Sequence, residues 1–181
     1  GNRASMTGPE GTTSYSYDTL SRRTAVKQPL NQTVRTAYND LSQVDYTVNA
    51  RGHKTDYDYY PWGGLHTVKE YGTESSTTVL RTVAYTYDNN SNLNSVSDDT
   101  LQAAALYSHS YDALNRPDVV TSNYLPAAVT LDHNYDRYGN RSKLTLNDGA
   151  ASVHEYHYNT LNQLTSVKLP GIANPFAFDY Y

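Results

Sequence analysis

The chain has 181 residues, a net charge of -4 at pH 7 and no cysteine. This charge argues against a nucleic-acid partner, which needs a clustered basic face, and the lack of cysteine excludes disulfide bonds and thiolate metal sites. No apolar run approaches the roughly 18 residues that a membrane-spanning helix needs.

Tyrosine dominates the aromatic residues, with 19 Tyr against 2 Phe and 1 Trp, while hydrophobic residues make up only 38% of the chain. Tyrosine favours strands and suits surfaces that are apolar along the ring and wet at the hydroxyl. The hydrophobic fraction lies below the globular average of about 45–50%. The composition therefore predicts a β-protein that is thin rather than deep-cored.

One short pattern recurs along the chain: an aromatic residue, Asp or Asn, two variable residues, a small or turn-forming residue, and usually a polar one. Two copies depart from it, one at its first residue and one at its second. We call the first residue of each copy its key residue and count places forward from it, so that the residue directly after the key residue is place 1. The eight copies begin at Tyr17-Asp18, Tyr38-Asn39, Val48-Asn49, Tyr59-Tyr60, Tyr87-Asp88, Tyr111-Asp112, Tyr135-Asp136 and Tyr158-Asn159.

The spacing within each copy predicts a tight turn. Asp or Asn at place 1 accepts hydrogen bonds from the turn backbone, and place 4 favours residues that tolerate a positive φ. A type I turn followed by a left-handed residue is a common hairpin connection. Serine is the weakest member of the place 4 set, so we expect the serine turns to differ in detail. The residues at place 4 are Ser21, Ser42, Gly52, Gly63, Ser91, Asn115, Gly139 and Asn162.

The flanks of the turns predict strands. Residues two before and nine after the key residue are mostly aromatic or β-branched, and a period of two places the former on the same strand face as the key residue. Each copy is therefore read as strand, turn, strand. The short steps between residues 38 and 63 predict consecutive hairpins with turns at both ends of the sheet. We expect connections at 8–11, 71–78, 98–105 and 125–126.

The predicted fold class is all-β: a repetitive antiparallel hairpin meander of roughly 15 strands that forms a long twisted ribbon. Gly1-Asn2-Arg3 resembles the tail of a turn, and residues 176–179 resemble the opening of another copy. We therefore expect residues 1–181 to be one hairpin array of about eight complete copies within a longer protein. Open sheet edges also predict that the isolated chain associates with itself.

The copies that begin at Tyr17, Tyr111 and Tyr135 are similar to the tyrosine–aspartate repeats of the RHS/YD family, and the resemblance covers nearly the whole chain. In that family the repeats form a β-ribbon that spirals into a hollow shell; bacterial shells enclose a toxic C-terminal domain, and teneurin shells take part in cell-surface adhesion. Structural repeat residues are then Tyr17, Asp18, Tyr38, Asn39, Tyr87, Asp88, Tyr111, Asp112, Tyr135, Asp136, Gly139, Tyr158 and Asn159.

The resemblance implies a shell segment of a secreted, cell-surface or translocated bacterial protein. Its partners are then the remainder of the same polypeptide and an enclosed C-terminal toxin domain. The family's C-terminal core, with its self-cleavage aspartates and toxin junction, has no counterpart in these 181 residues. The resemblance therefore assigns neither a protease site nor a toxin activity.

A second hypothesis is an adhesive module that binds a carbohydrate or a cell-surface partner. The densest aromatic cluster, residues 57–64, contains the only Trp, and Tyr and Trp faces stack on sugar rings. This hypothesis requires an exposed Trp62; the competing interpretation is a hairpin turn whose aromatics pack on neighbouring strands. The ligand-binding residues under this hypothesis are Tyr57, Tyr59, Tyr60 and Trp62.

A third hypothesis, a polysaccharide-acting enzyme, finds little support in the sequence. His154 and His157 face opposite sides of a strand, so they do not chelate one metal ion without a bulge. A glycosidase needs two carboxylates about 5–9 Å apart, whereas the repeat aspartates occur once per turn and have a structural role there. We predict no catalytic residues, no metal and no cofactor.

Overall fold

A computed structural model describes residues 1–101, 106–124 and 127–180. Within these ranges no helix is long and apolar enough to cross a lipid bilayer. The strands are β1 (Ser5–Gly8), β2 (Gly11–Tyr17), β3 (Arg23–Lys27), β4 (Thr33–Tyr38), β5 (Val44–Val48), β6 (Lys54–Tyr59), β7 (Leu65–Tyr71), β8 (Val79–Tyr87), β9 (Leu93–Asp98), β10 (Tyr107–Tyr111), β11 (Pro117–Ser122), β12 (Val129–Tyr135), β13 (Arg141–Asn147), β14 (Ala151–Tyr158), β15 (Leu164–Lys168) and β16 (Phe176–Ala177).

The order of the strands in the sheet follows the order of the chain from β1 to β16. The recorded strand pairs are antiparallel, which local hairpin connections favour. The predicted all-β antiparallel hairpin meander is therefore confirmed. The sixteen strands seen in the described residues exceed the roughly fifteen expected.

The chain divides into two compact units. The first comprises residues 1–84 with 98–100, and the second comprises 85–97 with 101–181. The repeated turns occur in both units. The expectation of one continuous array within a longer protein stays a prediction.

In each unit the even-numbered strands run towards one end of the sheet, which we call the near end. We call the opposite end the far end. Near-end hairpins of the first unit share one register, in which the residue two before the key residue faces place 9, as in Tyr15 opposite Val26. Tyr17 pairs with Arg23 and Ser16 with Ala25, so Thr24 is an extra residue that forms a β-bulge. The same shift recurs at Tyr38 and Tyr59.

The far-end turn of Asn49 lacks this bulge, as the unbroken register from Val48–Lys54 to Tyr46–Asp56 shows, whereas the β7–β8 pair shifts register between Glu70 and Tyr71. The predicted alternation of turns between the two ends over residues 38–63 is confirmed. A further far-end turn at 28–32 was missed, because Gln28 replaces the Asp or Asn of place 1. Its signals were Pro29 at a favoured turn position and Asn31, which has a φ of 59°.

The second unit repeats the near-end register. The pairs that join the residue two before the key residue to place 9 are His109–Val120, His133–Leu144 and Tyr156–Val167. Two histidines therefore stand where other copies carry Tyr, and the His109 and Tyr111 rings lie 6.5 Å apart. The connection at 8–11 is a hairpin turn, as expected, and that at 72–78 is a loop. Of the other two predicted connections, residues 102–105 and 125–126 lie outside the described residues.

Little of the described chain is deeply buried. Val48 is the one buried apolar side chain among the described residues, and Asp98 is the one buried polar residue there. Most inward positions are half-exposed, so the thin structure predicted from composition is confirmed. Such a sheet has little apolar area to bury, and its hydrogen bonds carry a correspondingly larger share of specificity.

Candidate functional site

The eight predicted turns share one backbone hydrogen-bond pattern. The N–H of place 1 donates to the carbonyl of place 5, and the N–H of place 4 donates to the carbonyl of place 1; at Asp112 these distances are 2.9 and 3.0 Å. All eight residues at place 4 have a positive φ. Ser21, Ser42 and Ser91, with φ of 62–64°, match Asn115 at 58°, so the expectation that serine turns differ is wrong.

The side chain at place 1 explains why serine is tolerated. Asp112 Oδ1 accepts the N–H groups of Leu114 and Arg116 at 2.8 and 3.0 Å. The same pair of hydrogen bonds occurs at Asp18, Asn39, Asn49, Asp88, Asp136 and Asn159. The carboxylate or amide of place 1 thus stabilises the turn by itself, and the residue at place 4 adopts the left-handed conformation as a consequence.

Where place 1 is Asp and place 5 is Arg or Asn, the second carboxylate oxygen is also used. Arg116 Nε donates to Asp112 Oδ2 at 2.7 Å, and Asn92 Nδ2 donates to Asp88 Oδ2 at 3.0 Å. The Arg116 hydrogen bond is the main cause that lowers the pKa of Asp112, and the Asn92 hydrogen bond does the same for Asp88. These carboxylates stay ionised and are engaged in turn structure.

The key tyrosines link neighbouring hairpins. Within each unit, a key tyrosine hydroxyl donates to the place 6 carbonyl of the preceding near-end hairpin, as when Tyr111 reaches Leu93 at 3.0 Å. Partial burial raises the pKa of Tyr59 and Tyr158, which keeps these hydroxyls protonated as donors. The other hydroxyl–carbonyl pairs of this kind are Tyr38–Arg23, Tyr59–Val44, Tyr135–Pro117 and Tyr158–Arg141.

Two further pairs sit near the ends of the chain, where Tyr17 donates to Arg3 and Tyr180 donates to Leu164. Arg3 therefore occupies a place 6 position, as its resemblance to Arg141 suggested. Tyr180 takes the key position. We call this set of contacts the tyrosine clamp; at its seven positions tyrosine cannot be replaced by phenylalanine without loss of the donor.

Side chains at place 5 add a second link between turns. Arg22 Nη1 donates to Ser42 Oγ at 2.9 Å, and its guanidinium lies 4.7 Å from the centre of the Tyr38 ring. In the second unit Asn92 and Asn140 donate to the amide oxygens of Asn115 and Asn162, both at 3.0 Å. The sequence pattern showed polar residues at place 5 but not their partners.

The left-handed place yields a prediction. Ser91→Gly will raise the free energy of unfolding of the second unit by about 0.5–1 kcal/mol, because glycine has no Cβ penalty at this φ. Gly139→Val will lower it by about 2 kcal/mol, since a β-branched residue is strained at a φ of 90°. Urea denaturation followed by far-UV circular dichroism measures both.

Matched controls accompany these variants. Gly139→Asn should cost much less than Gly139→Val, because Asn162 occupies the same place. Ser42→Gly should gain less than Ser91→Gly, because it removes the Oγ that accepts from Arg22. Equal stability of the Gly139→Val and Gly139→Asn proteins would contradict the assignment.

The four aromatic residues predicted to bind a ligand fall into two pairs. Tyr57 and Tyr59 are half-buried, and Tyr59 belongs to the tyrosine clamp. Tyr60 and Trp62 lie past the strand end, with ring centroids 5.6 Å apart and planes inclined by 11°. Trp62 is 53% exposed, as the binding hypothesis requires. A Cβ at Gly64 would overlap the indole, so this turn needs glycine there.

Two residues that the sequence analysis did not assign to this site join the second pair. The His66 ring lies 4.4 Å from the Tyr60 ring, and its Nδ1 is 2.8 Å from Asp58 Oδ2. We call Asp58, Tyr60, Trp62 and His66 the aromatic patch. The contact between Asp58 and His66 follows from the bulge.

Other copies join the corresponding two positions in a similar way. Ser110 contacts Asp118 at 3.4 Å, and Thr165 Oγ1 donates to the His157 carbonyl at 3.1 Å. The link between Asp58 and His66 is therefore a variant of a repeated bulge contact. What distinguishes the patch is the ring stacking that Tyr60 adds at place 1.

A second polar cluster surrounds Asp98. Arg81 donates to Asp98 Oδ2 through Nε and Nη2 at 2.8 and 2.7 Å, and Thr100 donates to Oδ1 through its N–H and hydroxyl at 3.0 and 2.7 Å. These hydrogen bonds, that of Arg81 first, lower the pKa of Asp98 to about 2. The sequence pattern predicts residue 98 only as the start of a connection.

The histidine-rich segment gives no convergent site. His154 and His157 both lie on β14, where an odd separation places them on opposite faces. In the described part of the chain, no group of three or more His, Asp or Glu side chains is arranged to hold a metal ion.

The fold and its turns define a class of protein, an antiparallel hairpin array with tyrosine–aspartate turns. Solved toxin-complex structures share this fold. A Photorhabdus luminescens Tc holotoxin pore chain matches with a TM-score of 0.65 at 17% identity, over 97% of this chain and 12% of that one. The TcdB2-TccC3 chain without its hypervariable C-terminal region matches with a TM-score of 0.63 at 17% identity, over 94% and 12%.

These toxin-complex chains are RHS-repeat shell proteins, so the resemblance to the RHS/YD repeats is confirmed at the level of the fold. The chain spans about 12% of the length of the structures that it matches. No family model matches the sequence, and no curated protein matches it significantly.

Proposed function

We propose that this chain is a structural segment of an RHS-type shell wall. Together with the rest of a longer polypeptide, the wall encloses or displays a toxin or another domain. The observation that carries the proposal is the tyrosine clamp, which repeats in both units and ties neighbouring hairpins of the same unit together. A thin wall needs such links because its strands bury little apolar surface.

We propose a structural rather than a catalytic role for the repeat residues. The carboxylates of Asp18, Asp88, Asp112 and Asp136 accept hydrogen bonds from their own turns, and their pKa values are lowered. General acid–base catalysis at neutral pH favours groups whose pKa lies nearer the working pH. Any toxin chemistry would then belong to other parts of the polypeptide, and the whole would be secreted or translocated.

The test is to determine the reading frame on both sides of residues 1 and 181 and to express it whole. We expect further tyrosine–aspartate repeats and an unrelated C-terminal domain. That domain should resist proteinase K within the whole protein and be cut rapidly when expressed alone. Tyr135→Ala, which removes one clamp, should increase cleavage of the enclosed domain but leave cleavage of the isolated domain unchanged. Equal cleavage in both contexts would contradict enclosure.

The aromatic patch supports a second candidate function, contact with a glycan. The stacked Tyr60 and Trp62 rings, with Trp62 half-exposed, offer apolar faces, and the exposed Asp58 carboxylate lies beside them as a hydroxyl acceptor. A pyranose with one apolar face fits this chemistry.

A glycan array with the whole chain tests this function. We expect Trp62→Ala to abolish any signal and Tyr60→Ala to weaken it about tenfold, since ring stacking contributes on the order of 1 kcal/mol or more. Leu41→Ala, at place 3 of the neighbouring near-end turn, is the matched control and should bind normally. An array without signal would rule out this function and leave the wall role intact.

A further inference from the structure

Place 3 of the near-end turns carries exposed apolar side chains. In the first unit these are Leu20, Leu41 and Trp62, which we call the first rim. In the second unit they are Leu114, Tyr138 and Leu161, which we call the second rim. All six are between 53% and 77% exposed.

The turn itself does not require an apolar residue at this place. Asn90 occupies place 3 in the turn of Asp88, and the next residue, Ser91, has the same left-handed φ as in the other serine turns. A single exposed leucine needs no explanation, but apolar residues at this place in six of the seven near-end turns of the described residues form a pattern. The pattern therefore points to a contact made by the rims.

The spacing along each rim suits an opposing row of side chains. Successive near-end turns are two strands apart, so their place 3 side chains lie about 10 Å apart. A leucine from an opposing row fits between two such neighbours. Closely packed apolar rows of this kind are what knobs-into-holes contacts use in other folds.

Covering the rims would leave few backbone polar groups without a hydrogen-bond partner. In the rim turns with Asp or Asn at place 1, the N–H groups of places 1, 3, 4 and 5 are already bonded within the turn, as in the turn of Asp112. Dehydrating these donors therefore leaves none of them without a partner, which removes the main cost of burying backbone.

The two rims also differ in charge. At place 2 the first rim carries Asp40 as its one charged residue, and the second rim carries Arg137. Both side chains are exposed. Rims of the same kind would bring like charges together, whereas a first rim opposite a second rim pairs an acid with a base.

We propose that the first rim of one copy of this chain docks against the second rim of another copy, with their apolar side chains interleaved. The inference goes beyond the wall function and rests on the turns alone, so it can fail while that function stands. The sequence predicts self-association through open strand edges; under this proposal the rims, not the strand edges, form the contact.

Sedimentation of the whole chain over a range of concentrations tests this docking. We expect concentration-dependent association, and we expect L20N/L41N to raise the dissociation constant about tenfold or more, because two buried leucines are lost from one contact. Asparagine is the substitute because Asn90 shows that the turn accepts it. Leu30→Asn is the matched control, because Leu30 is 82% exposed at the same place of a far-end turn, and it should associate normally.

Charge reversal tests the pairing of unlike rims. Asp40→Arg should weaken association, and adding Arg137→Asp should restore it. The proposal is overturned if the unmodified chain stays monomeric at all concentrations, if L20N/L41N associates as tightly as the unmodified chain, or if Asp40→Arg has no effect. Circular dichroism and thermal unfolding confirm that each variant is folded before its association is compared.

Discussion

Replacing Tyr111 by alanine will destabilise the β10–β11 hairpin by about 2–3 kcal/mol, because it removes both a half-buried ring and a clamp hydrogen bond. Tyr111→Phe will cost about 1 kcal/mol, since only the hydroxyl donor to the Leu93 carbonyl is lost. Hydrogen exchange of the amides in the turn of Asp112 measures the free energy of local opening. It avoids assuming that an array of repeats unfolds in one step.

Tyr107→Phe is the matched control, because Tyr107 lies on the same strand and face as Tyr111 but is more exposed. It should change the opening free energy by no more than a few tenths of a kcal/mol. If Tyr111→Phe exchanged like Tyr107→Phe, the clamp would be a geometric coincidence without energetic weight. The clamp would then give no support to the proposed shell wall.

The first unit will lose stability in acid through Asp98. Its folded pKa of about 2 lies below the ordinary value of 3.8, so the carboxylate contributes stability that is fully present above pH 4. That contribution is lost as the pH falls from about 4 towards 2, because the unfolded state then binds a proton that the hydrogen-bonded carboxylate of the folded state resists. The Arg81 guanidinium is the main cause.

Asp98→Asn tests this pH dependence. The difference in unfolding midpoint between the unmodified protein and Asp98→Asn should be largest near pH 6 and should shrink towards zero as the pH falls to about 2, where the carboxyl becomes protonated in the folded state as well. Trp62 fluorescence reports the first unit, which contains both Asp98 and Trp62. Glu10→Gln, an exposed change in the same unit, should show no such trend, and a constant difference for Asp98→Asn would contradict the pairing.

Arg81→Met should destabilise the first unit more than Asp98→Asn does, because it leaves the buried carboxylate without its cation. In the double variant the loss should be smaller than the sum of the two single losses, since both remove the same contact. Additive losses would show that Arg81 and Asp98 act independently.

The turns could be predicted because their interactions are local. Asp112 accepts hydrogen bonds from the N–H groups two and four residues later in the chain, and the left-handed residue Asn115 lies three residues later. Such contacts depend on residue type and spacing alone, so all eight were found. The turn at Gln28 was missed because glutamine at place 1 breaks the pattern that revealed the others.

The sequence by itself determined the all-β class, the eight turns, the strand faces and the likeness to RHS/YD repeats. Only the tertiary structure decided that Tyr111 reaches Leu93, that Arg81 pairs with Asp98 and that His66 joins Tyr60 and Trp62. The first two partners lie 17 or 18 residues apart in the chain. Their meeting depends on the register between hairpins and on the bulge at each near-end turn. A one-residue slip would turn every side chain of a strand to the other face, so no local pattern specifies these contacts.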